Sequence, residues 1–335
     1  MTIDERFFQD ILSIDSTSGR ERELSDWLER RLEGFADHME GFDVGDGTRN
    51  LLLSWGTPKI VFCTHMDTVP PFIVPHFGET MVTGRGSCDA KGQIYAMLRT
   101  AQRLSGAGKS DFGVLLVSGE ETGSHGARAF ARLPFKAPWL VIGEPTDNKM
   151  VEASKGTKAF TVHFTGKAFH SGYPEMGRSA VDMFVNFVNS LRRQRFQDDP
   201  LLGETTWNIG RLTSDNPQNI LSPELDCRVY FRTTFTSDAE VTRWMTRRRP
   251  GIKVEALGGD TPAHYYTVPH IKTTTVSFGS DAPHLDNFAR RMICGPGSIK
   301  VAHRDNEYIR KADIERAIEV YSLIYEHCIN LSQQS

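Results

Sequence analysis

Apolar residues recur at helical spacing at the start of the chain, as Phe7, Phe8, Ile11 and Leu12 and then as Leu24, Trp27, Leu28 and Leu32, which predicts two amphipathic helices. A turn signal at Gly45-Asp46-Gly47 follows, and after it the short apolar runs NLLLSW and KIVFCTH. A helical pattern over 92–104 separates these from FGVLLVSG and WLVIGEP. Strands alternating with helices, several of them apolar on both faces, predict an α/β domain with a largely parallel, buried sheet.

From about residue 158 the pattern changes. AFTVHFTG, TTWNIGRLT, CRVYFRTTF and IKVEAL read as strands, with helical patterns over 179–193 and 238–248, so the order is β-α-β-β-α-β, the ferredoxin-like arrangement. The first of these helices carries Val181, Phe184, Val185 and Val188 on one face and Phe187 on its shoulder, enough for an internal core. Lys155-Gly156 and Gly258-Gly259 bound the segment with glycines suited to chain reversals. Beyond them TTTVSFGS and a terminal helix with Ile314, Ile318, Tyr321 and Ile324 return to the earlier style. The expected organisation is a catalytic domain in two parts, 1–156 and 260–335, with a second domain, 157–259, inserted between them. The basic clusters at 192–195 and 247–249 fall at helix C-termini, where cations complement the dipole.

Composition narrows the function classes. At 335 residues and 39% hydrophobic content the chain can bury a core in each domain. A formal net charge of −3 supplies no field to hold a polyanion, so nucleic acid is excluded as the expected partner. No apolar run approaches the ~20 residues of a membrane span, and the charged start MTIDERFF lacks the apolar stretch of a signal peptide. The five cysteines are scattered, without a C-x-x-C pair, which fits a protein of the reduced cytoplasm and excludes cysteine-ligated zinc.

Polar side chains cluster where apolar strands end. His65 and Asp67 lie two apart after KIVFCT, on one side of an extended chain; alone they make an ordinary polar pair. Asp89 in GRGSCDAKG enters a helix and could simply cap it. Glu120 and Glu121 follow VLLV, and adjacent carboxylates at a buried strand end are costly unless a cation relieves them. Glu144 ends WLVIGEP in the same manner, and His303 sits in a loop before the last helix. Carboxyl ends of successive sheet strands converge at one edge, where open α/β sheets bind ligands. The joint set of two histidines, one aspartate and two or three glutamates suits one or two Zn²⁺, with Co²⁺ or Mn²⁺ as substitutes, and leaves a surplus glutamate as base. Rival chemistries fit worse. GAGKS lacks the first glycine of a phosphate loop, which would fall at Arg103, and there is no G-x-S-x-G elbow.

The strings THMDTVPP, GRGSCDAKG, SGEETGSHGA, GEPT, HSGYPEMGRSA, FGSDAPHL and GPGSIKVAHRDNEYI resemble, from about residue 50 onward, the zinc-dependent exopeptidase and amidohydrolase family of acetylornithine deacetylase, succinyl-diaminopimelate desuccinylase, glutamate carboxypeptidase and aminoacylase. The resemblance implies two metals bridged by Asp89, with His65 and Glu144 completing one coordination sphere and Glu121 and His303 the other. It implies that Asp67 orients His65, that Glu120 is the general acid/base, and that the insert is a lid and homodimerisation domain. His170 matches a histidine that reaches the partner subunit's active site. Asn219 and Arg232 resemble the pair near the substrate carboxylate, although Ser222 stands where family members usually have Pro. HMDTVPP, GEPT and FGSDAPHL are most similar to the acetylornithine deacetylase branch, which implies a small N-acyl amino acid as substrate. A dipeptidase, a carboxypeptidase or the desuccinylase would use the same metals, and a non-catalytic metal-binding homologue is the alternative from another class.

Overall fold

A computed structural model describes residues 2–45 and 47–333. Asp46, at the centre of the expected first turn, lies outside the described residues. Two compact units emerge, one made of Met1–Glu152, Tyr265–Thr274 and Ser280–Ser335, the other of Ala153–His264 and Thr275–Gly279. The edges of the second unit fall a few residues outside the glycine pairs, because Ala263 and His264 pair with Ser154 and Ala153 as short strands.

The first unit is built on a six-stranded sheet. Its order is His38–Gly45, Thr48–Trp55, Phe112–Val117, Ile60–His65, Ala137–Ile142, Phe288–Ile293. The last four are mutually parallel and the first two join antiparallel, so the fold is α/β with a largely parallel centre. Ile60–His65 and Phe112–Val117 are buried along their whole length, as strands covered on both faces must be. Helices Lys91–Gly106 and Lys311–Gln333 pack on one another and on these strands; Phe62 lies 5.5 Å from Tyr321, ring to ring. The strand His38–Gly45 has no sustained apolar alternation and buries none of its residues fully, which is why the hydrophobic pattern does not predict it. Among the described residues, no helix is long and apolar enough to cross a membrane.

The second unit is a four-stranded antiparallel sheet in the order Thr206–Thr213, Glu224–Thr233, Gly156–Thr165, Ile252–Gly258, with helices Ala180–Arg193 and Asp238–Thr246 against it. This is the βαββαβ arrangement expected from the sequence. The first helix turns a different face inward, however. Ala180, Met183, Phe187 and Leu191 are buried against Phe160, Val162, Phe164 and Trp244, whereas Val181 and Val185 are exposed. Spacing of three and four residues joins either stripe, and the larger side chains Met183, Phe187 and Leu191 fill the core. The basic cluster at 247–249 does close a helix end: Arg249 donates to the carbonyls of Trp244 (2.7 Å) and Met245 (2.9 Å).

Candidate functional site

His65 is the last residue of its strand, and Asp67 lies two residues beyond. The His65 ring is pinned at Nδ1 by the Asp67 carbonyl (2.9 Å) and carboxylate (3.3 Å), which leaves Nε2 facing Asp89 at 3.1 Å. Asp67 does more than orient that ring. Its carboxylate also accepts from Ser18 Oγ (3.0 Å) and from the backbone N–H groups of Glu120 (3.0 Å) and Glu121 (3.1 Å). Gly119, at φ +71°, permits the turn that aims both N–H groups at it. One buried aspartate therefore fixes both the histidine and the di-glutamate turn.

Asp89 is not a helix cap. The cap position of helix Lys91–Gly106 is Ala90, and the Asp89 carboxylate instead lies between His65 and His303, whose Nε2 is 3.3 Å away. The same His303 nitrogen is 2.8 Å from Glu121 Oε1. Ligand atoms of His65, Asp89 and Glu121 all fall within 4.8 Å of one another. Glu144 is buried at the end of its strand, within electrostatic range of Asp89, Glu120 and His65.

Without a cation these groups are in conflict. Burial pushes the Glu144 carboxyl well above the ordinary carboxylate range, and the charges of Asp89 and Glu120 add to it. Burial likewise pushes Glu120 well up, against the attraction of His65 and with the repulsion of Asp281 and Glu121. On the other side, Asp89 and Glu121 hold the His303 ring protonated up to about 10. His65 is also held well above its usual value, because Asp67 and Asp89 outweigh its burial. A divalent cation would replace these protons and neutralise the surplus carboxylates, so the donor set of imidazole and carboxylate groups fits Zn²⁺ or Co²⁺.

Three residues join this cluster without having been singled out in the sequence. Asp281, inside FGSDAPHL, is fully buried, is pushed up to about 6 by burial, and hydrogen-bonds Ser124 on the Glu120 turn. Arg85 and Glu307 form a buried ion pair at 2.7 Å behind Asp89. All three lie in strings already noted, but charge in a glycine-rich or loop sequence does not by itself signal burial.

His170, Asn219 and Arg232 belong to the second unit. The loops carrying the first two pair with each other: His170 bridges Ile220, and Ser171 N–H donates to the Asn219 carbonyl at 2.9 Å. His170 Nδ1 accepts from the Gly172 N–H at 3.0 Å, which leaves the proton of a neutral ring on Nε2. Ser222, buried, donates to the Glu224 carbonyl at 2.8 Å and so holds the base of the Asn219 loop. Arg232 lies eight residues from Glu224, about 26 Å along the same strand at ~3.3 Å per residue. Within one chain Asn219 therefore neighbours His170 and not Arg232. The strand alternates as the sequence predicts, with Arg228, Tyr230 and Arg232 on the open face, and the Arg232 guanidinium lies over the Tyr230 ring at 5.1 Å. Asp226, on the same face, pairs with His163 at 2.7 Å.

The model of peptidase family M20/M25/M40 matches residues 61–327 of the chain. A probable carboxypeptidase of Aspergillus clavatus is 31% identical over 369 residues, covering 97% of this chain and 88% of the relative. Among solved structures, a tripeptidase from Staphylococcus aureus superposes with a TM-score of 0.78 at 18% identity, covering 95% of this chain and 97% of the other. An M20 family metallo-carboxypeptidase from Sulfolobus solfataricus does so at 0.72 and 14%, covering 95% and 98%.

Proposed function

The chain belongs to peptidase family M20/M25/M40, and on that premise we propose that it hydrolyses the amide bond of a small N-acyl amino acid with a free α-carboxylate, as acetylornithine deacetylase does. The observation that supports this reading is the convergence of His65, Asp89, Glu121 and His303 beside two further glutamates, the half-buried Glu120 and the buried Glu144, whose negative charges a cation would balance.

Two divalent ions held by His65, Asp89, Glu121, Glu144 and His303 would supply Lewis acidity at the scissile carbonyl and make water acidic enough to attack near neutral pH. Glu120 is the base in this reading: its partly buried carboxyl takes the proton of the attacking water and returns it to the leaving amine. Asp67 holds the backbone of Glu120 through its N–H, which limits the reorganisation the base needs at the moment of reaction. Arg232 would grip the α-carboxylate with two parallel hydrogen bonds. In a homodimer built on the βαββαβ unit, His170 of the partner subunit would donate Nε2–H to the developing oxyanion, with Asn219 beside it.

A carboxypeptidase or dipeptidase reading keeps every one of these roles and replaces the acyl group by an aminoacyl residue. The names of similar proteins, a probable carboxypeptidase and a metallo-carboxypeptidase, favour it. A screen of acetylated, succinylated and formylated amino acids beside simple dipeptides, with Zn²⁺ or Co²⁺ added, separates the two. Fastest turnover of an acetylated amino acid is the expected result. Faster turnover of dipeptides would assign the peptidase reading, and no turnover by the metal-loaded chain would leave a metal-binding homologue without catalysis.

A further inference from the structure

Behind the metal-ligand candidates lies the buried pair Arg85 and Glu307, with side chains 2% and 0% exposed. Burying two charges costs more than burying an apolar pair of similar volume, so the pair is poor evidence for stability and asks for another purpose. Most of its contacts lead to the segments of Asp89 and His303. Glu307 Oε1 accepts from the backbone N–H groups of Cys88 (3.0 Å) and Asp89 (3.1 Å), while Oε2 accepts from Arg85 at 2.7 Å. Arg85 also donates to the carbonyls of Pro71 and Arg304, each at 3.3 Å. Arg304 directly follows His303, whose backbone sits in the left-handed region at φ +61°. The Glu307 carbonyl accepts from Gly84 N–H at 3.1 Å, and the next residues, Tyr308–Arg310, pair as a strand with Met81–Thr83.

We propose that the Arg85–Glu307 pair is a positioning strap for the metal site, tying the backbone of Asp89 to the loop of His303 so that both side chains close on the same ion. Glu307 fixes Asp89 from behind, through its N–H, and leaves the carboxylate free to face His65 and His303. Arg85 fixes the far side, through the carbonyl next to His303. The exposed loop that carries His303 thereby inherits the rigidity of the buried segment that carries Asp89. This inference rests on the metal reading above.

The test uses the full chain and Co²⁺ as the probe, with affinity from competition titration and ligand geometry from the visible absorption of the bound ion. Glu307→Gln keeps the size of the side chain but turns one of its two acceptor positions into an N–H₂, which must then face either Arg85 or the N–H groups of Cys88 and Asp89. It should weaken Co²⁺ binding by ~10- to 100-fold and alter the visible spectrum, in protein whose circular dichroism matches wild type. In a His303→Ala background the same change should cost clearly less than it does in the intact chain, because the strap has lost one of the groups it positions. A purely structural contribution would instead add in full to that of His303→Ala, and that result overturns the proposal. So does unchanged Co²⁺ affinity in folded Glu307→Gln. Should that variant fail to fold, Arg85→Lys decides: it keeps the charge but lacks the fork that reaches Glu307 and Arg304 together, and wild-type affinity in it overturns the strap. Wild-type protein that binds no Co²⁺ would overturn the metal reading beneath it.

Discussion

The candidate chemistry of the sheet ends and the candidate recognition groups of the βαββαβ unit are held in opposite ways. Around Asp67 and Asp89 the side chains are buried or half-buried, with His303 the exposed exception, and are tied by contacts of 2.8–3.3 Å between segments far apart in the chain, such as His303 with Glu121 and Ser18 with Asp67. His170, Asn219 and Arg232 are exposed or half-buried, and their anchors are local: a neighbouring N–H, a paired loop, a ring two residues away. Fixed dipoles at a reacting bond save reorganisation energy, which favours the first kind of construction for catalysis. Groups that meet a substrate as it arrives gain by remaining able to move, which favours the second.

The comparison is sharpest if the two regions fail differently when altered. Glu120→Gln should lower turnover by ~10²- to 10⁴-fold while metal content, by elemental analysis, stays that of wild type, since the amide is as long as the acid and the Asp67 contacts are to backbone. Near-normal turnover with metal present would remove Glu120 as the base and with it the catalytic side of the contrast.

How legible each region was follows from the same difference. The strand ends could be read because each motif is a contiguous polar string after an apolar run, as at KIVFCTHMD or VLLVSGEE, and the buried parallel sheet brings such strings to one edge. What could not be read are contacts that skip along the chain. Glu307 reaches Cys88 and Asp89 across more than two hundred residues, and the two N–H groups that Asp67 receives from Glu120 and Glu121 leave no trace in residue type. In the second unit the strand alternation at Arg228, Tyr230 and Arg232 was plain. The inward face of helix Ala180–Arg193 was not, because Val181 and Val185 continue an apolar stripe that the core does not use. Nor did thirteen residues of separation reveal that Asn219 sits with His170 at the Glu224 end of a strand whose other end holds Arg232.

His170→Ala should cost ~10²-fold in turnover if the ring supplies an oxyanion donor, with little change in metal content. Mixing His170→Ala with Glu120→Gln then offers a way to break the comparison across subunits. If the histidine serves the neighbouring subunit, mixed dimers regain part of the activity that neither variant has. No recovery, under conditions where subunits demonstrably exchange, would return His170 to a surface role.

Arg232→Lys tests the recognition side with a smaller effect. Lysine cannot reproduce the planar fork or the stack on Tyr230, so use of free-acid substrates should weaken by roughly tenfold, while amide-capped analogues are unaffected. Equal hydrolysis of α-amide and α-carboxylate forms by the wild type would remove carboxylate anchoring altogether.

The smallest expected effect is on stability, and it belongs to the buried region alone. Burial raises Asp281 to about 6 and pushes Glu120 and Glu144 well above their ordinary range, so in the metal-free chain the folded state binds more protons than the unfolded one above about pH 4. Stability must then fall as pH rises from about 5 to about 7. Asp67 and Asp89 have the opposite sign, but their stabilisation is lost only as pH drops below about 4, outside that window. Lys91, lowered by burial to about 7, contributes a slope of opposite sign only above that value. His65 and His303 reinforce the fall above about pH 6.5, where their unfolded rings would already have lost the proton. Bound metal displaces those protons, so the gain in Tm on adding Zn²⁺ should grow with pH across the window while the metal-free Tm declines by a few degrees. Thermal melts at several pH values, with chelator and with Zn²⁺, measure both slopes. A metal-free Tm that rises toward pH 7, or a Zn²⁺ gain that shrinks, would mean that the carboxylates at the sheet ends are not strained by their burial, and the contrast between the two regions would lose its energetic basis.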